Sequence, residues 1–203
     1  MENQFLEEYK EYISKIGDRK ALYKAVAAEY SIRTAIYPGS FIDISPSLVI
    51  PDVTYIDNFK GAIRFFKQMD GIKNYVEENK EYPDACKISF IGQDYTQPLE
   101  MEQVDLIISQ YAGFVGQETK RYLKLGGILL CNDSHGDATL ARFDQDFEFI
   151  GIVNGNNKIE QDNLERYFQL AKDKPVDLKI VKEKMKGLNY TVAAENYVFR
   201  KIS

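Results

Sequence analysis

Three stretches of the 203-residue chain carry residue types at spacings that can do chemistry. The first is TAIYPGSFIDISPSLVIPDVTYID, residues 34–57, where an apolar run breaks at Gly39 and a second apolar run ends in Asp57. A glycine turn followed by a strand-end acid is the layout of a nucleotide site at the open edge of a parallel sheet. The turn lets backbone approach the ligand, and the carboxylate can accept from ribose hydroxyls. The second is FIGQDY, residues 90–95, an apolar run ending near Asp94 and Tyr95. The third is NDSHGDA, residues 132–138, where His135 stands between Asp133 and Asp137. A histidine held by a carboxylate is a general-base arrangement.

Each stretch also has a structural alternative. Gly39 serves equally as a simple turn residue. Asp57 can cap a helix starting at Asn58 or Phe59, and Asp94 can stabilise its own turn. Asp137 or Ser134 can cap a helix that starts at Ala138. Ser109, Gln110 and Tyr111 follow an apolar run and could orient a substrate, but a loop of that composition needs no such role. Gly126 and Gly127 close a helix and open a strand.

The elements that must position these residues follow from periodicity. Residues 2–16 carry Phe5, Leu6, Tyr9, Tyr12, Ile13 and Ile16 at helical spacing, ended by Gly17, and residues 18–31 repeat the habit. From Arg33 onward, short apolar runs alternate with amphipathic stretches. The runs are 33–37, 53–56, 87–91, 105–109, 127–132, 147–153 and 197–202, and helices are expected near 59–78, 116–123, 137–143 and 160–171. Alternation of this kind implies right-handed crossovers and a mainly parallel sheet. Only 12 residues separate Gly39 from Asp52, and they include Pro46 and Pro51. The first crossover therefore has room for one or two helical turns, with Ser45 expected as the N-cap before Pro46. The basic run 172–186 reads as a solvated helix face or loop. The expected organisation is a helical extension over residues 1–32 and one α/β domain over 33–203.

Seven strands in this order, with these landmarks, resemble the class I S-adenosylmethionine-dependent methyltransferases from about residue 33 to the C-terminus. Tyr37-Pro38-Gly39-Ser40-Phe41 occupies the place of the family's acid-x-Gly-x-Gly loop. Gly39 matches the first glycine; Tyr37 stands where the acid is expected and Phe41 where a second glycine is expected. Asp57 matches the ribose-binding acid, Asp94 the acid that contacts the adenine amino group, and Asp105 leads a strand similar to the family's fourth. Leu125-Gly126-Gly127 resembles its Leu-x-x-Gly-Gly turn, with the intervening residues missing. The resemblance implies a three-layer Rossmann-like fold, seven strands with the last antiparallel, and S-adenosylmethionine as cofactor. It implies cofactor contacts from Tyr37, Gly39, Ser40, Asp57, Asp94, Tyr95 and Ser109. The implied activity is methyl transfer to a small acceptor, and it names no catalytic residue. The degenerate loop leaves an alternative, a non-catalytic methyltransferase-like binding or interaction domain.

Composition narrows the rest. A net charge of −5 argues against a large nucleic-acid surface, and no apolar run reaches membrane-spanning length. The start of the chain is too acidic and broken for a signal peptide, so a cytoplasmic address is expected. One histidine excludes a metal site built from several. Cys86 and Cys131 sit in strand-like runs without C-x-x-C spacing and are expected as buried thiols. A G-x-S-x-G elbow is absent, as is G-x-G-x-x-G after the first strand, which weighs against hydrolase and dehydrogenase chemistry.

Overall fold

The computed structural model describes residues 4–170, 172 and 175–203. Two compact units divide at Pro98 and Leu99. The first holds α1 (Gln4–Ile16), α2 (Lys20–Glu29), β1 (Thr34–Pro38), β2 (Asp52–Ile56), α3 (Lys60–Phe66), α4 (Met69–Asn79) and β3 (Lys87–Ile91). Its strands lie in the order β3-β2-β1 and are parallel, with Tyr37 opposite Tyr55 and Tyr55 opposite Phe90. Ala35, Ile36 and Tyr37 are all buried, the continuous burial of a strand covered on both faces. The crossover from β1 to β2 is a single 3-10 turn, Ser45–Leu48, as the two prolines require. Ser45 does not cap it. Ile44 occupies the N-cap position, and the Ser45 hydroxyl pairs instead with the buried Tyr9 hydroxyl of α1 at 3.0 Å.

Helix α1 ends at Gly17, whose φ of 84° is the left-handed stop the sequence signals. Its Phe5 and Tyr9 are buried against Phe65 and Tyr75, with edge-to-face ring centroids about 6 Å apart. A Cβ on Gly71 of α4 would come within 2.9 Å of the Phe5 ring, so the glycine allows that close approach. The helix expected over 59–78 forms as two pieces, interrupted at Lys67 and Gln68. Cys86 is a correction: it precedes β3 and is half-buried, not fully buried like Cys131.

The second unit holds β4 (Val104–Ser109), α5 (Val115–Thr119), β5 (Leu123–Cys131), α6 (Asp137–Arg142), β6 (Phe147–Val153), β7 (Ile159–Glu160), α7 (Leu178–Lys184) and β8 (Asn196–Lys201). The order is β4-β5-β8-β6-β7. β4 and β5 are parallel, and β8 runs antiparallel between β5 and β6. The last strand is thus reversed as expected, and the described residues form eight strands where seven were expected, the extra one being the two-residue β7.

The helix expected over 160–171 does not form in its described residues. Glu160 belongs to β7, Leu164–Arg166 make one 3-10 turn, and Asn163 and Phe168 have φ of 53° and 62°. Aromatic packing overrides the helical spacing. The Phe168 ring lies 4.8 Å from Tyr197, 5.0 Å from Tyr190 and 5.1 Å from Phe149, and a regular helix cannot deliver it there. Within the basic run, Leu178–Lys184 is helical and only Val181 of it is buried.

Candidate functional site

At the carboxyl end of β1 the chain turns at Gly39, whose φ is 66° and whose amide donates to the Ile56 carbonyl at 2.8 Å. Ser40 is buried, and its hydroxyl makes a long contact to the Phe41 carbonyl, 3.4 Å. Phe41 then adopts φ 48°. The position where the resemblance expects glycine keeps a glycine-like backbone while carrying a phenyl ring, a conformation that costs an L-residue about 1–2 kcal/mol. Two interactions hold it. The Phe41 amide donates to Asp57 Oδ2 at 2.8 Å, and the ring packs against Tyr12 and Phe59, with centroids 5.3 and 5.7 Å away.

Asp57 is half-buried one residue beyond β2, and its Oδ1 accepts from the Phe59 amide at 2.8 Å. The carboxylate therefore joins both readings of the sequence: it closes the turn before α3 and reaches across to the β1 loop. After these two bonds each oxygen retains an acceptor direction.

Tyr37 is fully buried and its hydroxyl is committed. It accepts from Arg19 Nη1 and donates to Asp43 Oδ2, both at 3.3 Å. The Tyr23 hydroxyl donates to the same Asp43 oxygen at 3.0 Å, Arg19 Nη1 stands 3.6 Å from it, and Asp43 Oδ1 accepts from the Ser45 amide at 3.1 Å. Burial pushes the Asp43 carboxyl up from its ordinary range, against the pull of Ser45 and Arg19. Asp43, six residues beyond Tyr37, is thus enclosed with its cation, Arg19. Sequence reasoning passed over Asp43, Arg19 and Tyr23. The available signal was an acid flanked by Ile42 and Ile44, since a charge in an apolar run needs a buried partner.

Asp94 is exposed and closes its own turn. Its Oδ1 accepts from the Thr96 amide at 2.9 Å and the Thr96 hydroxyl at 2.8 Å, and those bonds hold its carboxyl below the usual range. Tyr95 follows, half-buried.

In the second unit Ser109 ends β4. Its buried hydroxyl donates to Asp137 Oδ2 at 2.6 Å, and the Gly116 amide reaches the same carboxylate at 2.9 Å. Asp137 is itself buried, which pushes its carboxyl up to about 6. Ser109 thus ties β4 to the start of α6. Gly136, not Ser134 or Asp137, occupies the N-cap position of α6, and Asp133, upstream of both residues the sequence offered, supplies the acceptor for its first turn: Oδ1 accepts from the Thr139 amide at 2.7 Å and Oδ2 from its hydroxyl at 2.8 Å. Burial pushes Asp133 up to about 6 as well. His135 Nδ1 pairs with the Ser134 hydroxyl at 3.0 Å, not with a carboxylate, so the histidine–acid pairing does not form.

Comparison with solved structures places this architecture. A S-adenosylmethionine-dependent methyltransferase from Clostridium acetobutylicum superposes with a TM-score of 0.53 over 99% of both chains, at 10% identity. A methyltransferase from Geobacter sulfurreducens gives 0.52 over 73% of this chain and 83% of that one, at 11% identity. No family model matches the sequence, and no curated protein matches it. The chain has the class I S-adenosylmethionine-dependent methyltransferase fold. At such identities the likeness is one of fold, and a fold hosts many activities.

Proposed function

We propose that the protein is a S-adenosylmethionine-dependent methyltransferase acting on a small acceptor. The observation that carries this reading is the Asp57 carboxylate, anchored to the β1 turn through the Phe41 amide with one acceptor direction left on each oxygen. Two vicinal ribose hydroxyls require such a pair of acceptors, so the donor–acceptor chemistry fits the ribose end of the cofactor. Asp94 and Tyr95 are the residues for the adenine end, and the Gly39–Ser40 turn for the amino-acid end. Tyr37 acts by holding that turn through Asp43 and offers the ligand no free hydroxyl. Ser109 acts through Asp137 in the same indirect way.

When bound, the cofactor supplies a methyl group already activated on a sulfonium. The protein's task is then to bind and align, with a base needed only if the acceptor retains its proton. This is why no nucleophile or metal cluster has to appear. Calorimetric titration with S-adenosylmethionine and S-adenosylhomocysteine tests the reading. Micromolar binding to wild type that Asp57→Asn weakens supports it. No binding at millimolar ligand returns the chain to the non-catalytic alternative.

A further inference from the structure

The second unit contains a cavity of about 350 Å³ beside the residues that follow β4 and β5. That size is in the range of small-molecule sites, and the carboxyl ends of parallel strands are where such ligands sit. Six side chains define its character: Tyr111, Tyr190, Tyr197, Asp133, Glu195 and Lys186.

The hydroxyl directions on its wall can be worked out. Ionised Asp133 only accepts, so the single Thr139 proton goes to Asp133 Oδ2. The Tyr190 hydroxyl, 2.9 Å from Thr139 Oγ1, must then be the donor of that pair, which leaves its own oxygen as an acceptor. Asp133 has used one acceptor direction on each oxygen and keeps the others. The Gly187 backbone, itself part of the lining, packs against it: a Cβ on Gly187 would overlap the Asp133 carboxylate, so only glycine allows so close a cover. Asn132 of the lining belongs to a buried chain of amides. Asn132 Nδ2 donates to Gln110 Oε1 at 3.1 Å, and Gln110 Nε2 donates to Asn196 Oδ1 at 2.9 Å, all three residues being buried.

Three tyrosines and two carboxylates share the lining with one lysine, and both Lys186 and Glu195 are exposed. Such a lining is rich in acceptors and π-faces, and an alkylammonium, which only donates and is attracted to both, matches it. We propose that this cavity binds a small primary or secondary amine as its ammonium ion, with Asp133 as counterion. The proposal does not rest on the methyl-transfer reading.

The test uses three probes of one shape and different charge: 2-phenylethylamine, 2-phenylethanol and phenylacetate, titrated into the full-length protein by calorimetry. The amine should bind about tenfold more tightly than the alcohol, with the anion weakest. Asp133→Asn should reduce the amine to the level of the alcohol, its folding being checked by thermal melting. Should that variant unfold, two exposed changes read the same property: Glu195→Gln should weaken amine binding and Lys186→Gln should strengthen it. Equal binding of amine and alcohol to wild type, or a preference for phenylacetate, overturns the proposal. Amine binding that survives while S-adenosylmethionine fails to bind leaves the cavity assignment standing and removes the methyl-transfer reading alone.

Discussion

Asp57 and Phe41, 16 residues apart, are joined by a 2.8 Å bond from the Phe41 amide to the Asp57 carboxylate, and this bond holds Phe41 at a φ of 48°. A phenylalanine keeps a glycine-like backbone in this turn because a strand-end carboxylate and two aromatic rings hold it there. The carboxylate that the ribose reading needs is therefore also the brace of the adjoining loop, and binding and stability have to be separated by experiment.

Phe41→Gly separates strain from packing. The glycine removes a left-handed cost of about 1–2 kcal/mol and forfeits ring contacts of similar size, so stability should change by about 1 kcal/mol or less. Phe41→Ala retains the strain, loses the rings and should be the less stable of the two, by about 1 kcal/mol. Thermal melts compare them, and equal melting temperatures would show that the positive φ carries no cost. Removing the ring should also raise S-adenosylmethionine affinity in calorimetry, since a bulky side chain then no longer stands where the fold's relatives are expected to approach the ligand with bare backbone.

Asp57→Ala leaves two amides without acceptors, one of them part-buried, and should cost about 2 kcal/mol of stability. Asp57→Asn keeps one acceptor oxygen and should cost about half as much. If Asp57 also binds ribose, both variants should lose tenfold or more in cofactor affinity, Asn included. Urea melts and calorimetry on the same two proteins decide the matter: affinity that merely tracks stability identifies a loop brace and no more.

Tyr37→Asp, the change that formally restores the expected acid, should do harm. It would put a second carboxylate beside Asp43, in a fully buried site where one guanidinium serves both. Two like charges there cannot both ionise, and the variant should lose about 3 kcal/mol or more. Tyr37→Phe deletes only hydrogen bonds and should cost about 1 kcal/mol. The double variant Tyr37→Asp with Asp43→Asn should recover most of the loss. Denaturant midpoints of the four proteins test this, and a stable single Tyr37→Asp would mean that the buried network tolerates a second charge.

Most of the fold was legible because apolar runs and strand-end punctuation are local signals. The strands up to Ser109 are found within a residue of their expected ends, and the two prolines foretold the one-turn crossover. The failures have non-local causes. The aromatic side chain of Phe168 is drawn to Phe149, Tyr190 and Tyr197, which lie 19 or more residues away in sequence, and no window of helical spacing contains them. At the candidate site, Gly39 and Asp57 could be named from their places at strand ends. Asp43 could not be paired with Arg19 and Tyr23 from the sequence, because the pairing depends on α2 packing beside β1. His135 illustrates the opposite error: two nearby acids in sequence suggested a partner, and folding turned both toward backbone amides at the start of α5 and within α6.

The pH dependence of stability should carry the signature of those two acids. Burial raises Asp137 and Asp133 from an ordinary value of 3.8 to about 6, so at intermediate pH the folded state binds more protons than the unfolded chain. Their contribution to stability is therefore present at low pH and lost as pH rises from about 4 to about 6. For fully buried Asp137 a shift of this size corresponds to about 3 kcal/mol at most. Glu77 and Glu81, lowered to about 2 by their lysines, act with the opposite sign, but they are exposed and titrate below this window. Urea midpoints should rise on moving from pH 7 to pH 5. Asp137→Asn cannot ionise, keeps an oxygen for the Gly116 amide, and should flatten a large part of that rise while raising stability at pH 7. A wild-type midpoint that falls steadily from pH 7 to pH 5 would mean that the hydrogen bonds from Ser109 and Gly116 compensate the buried charge completely.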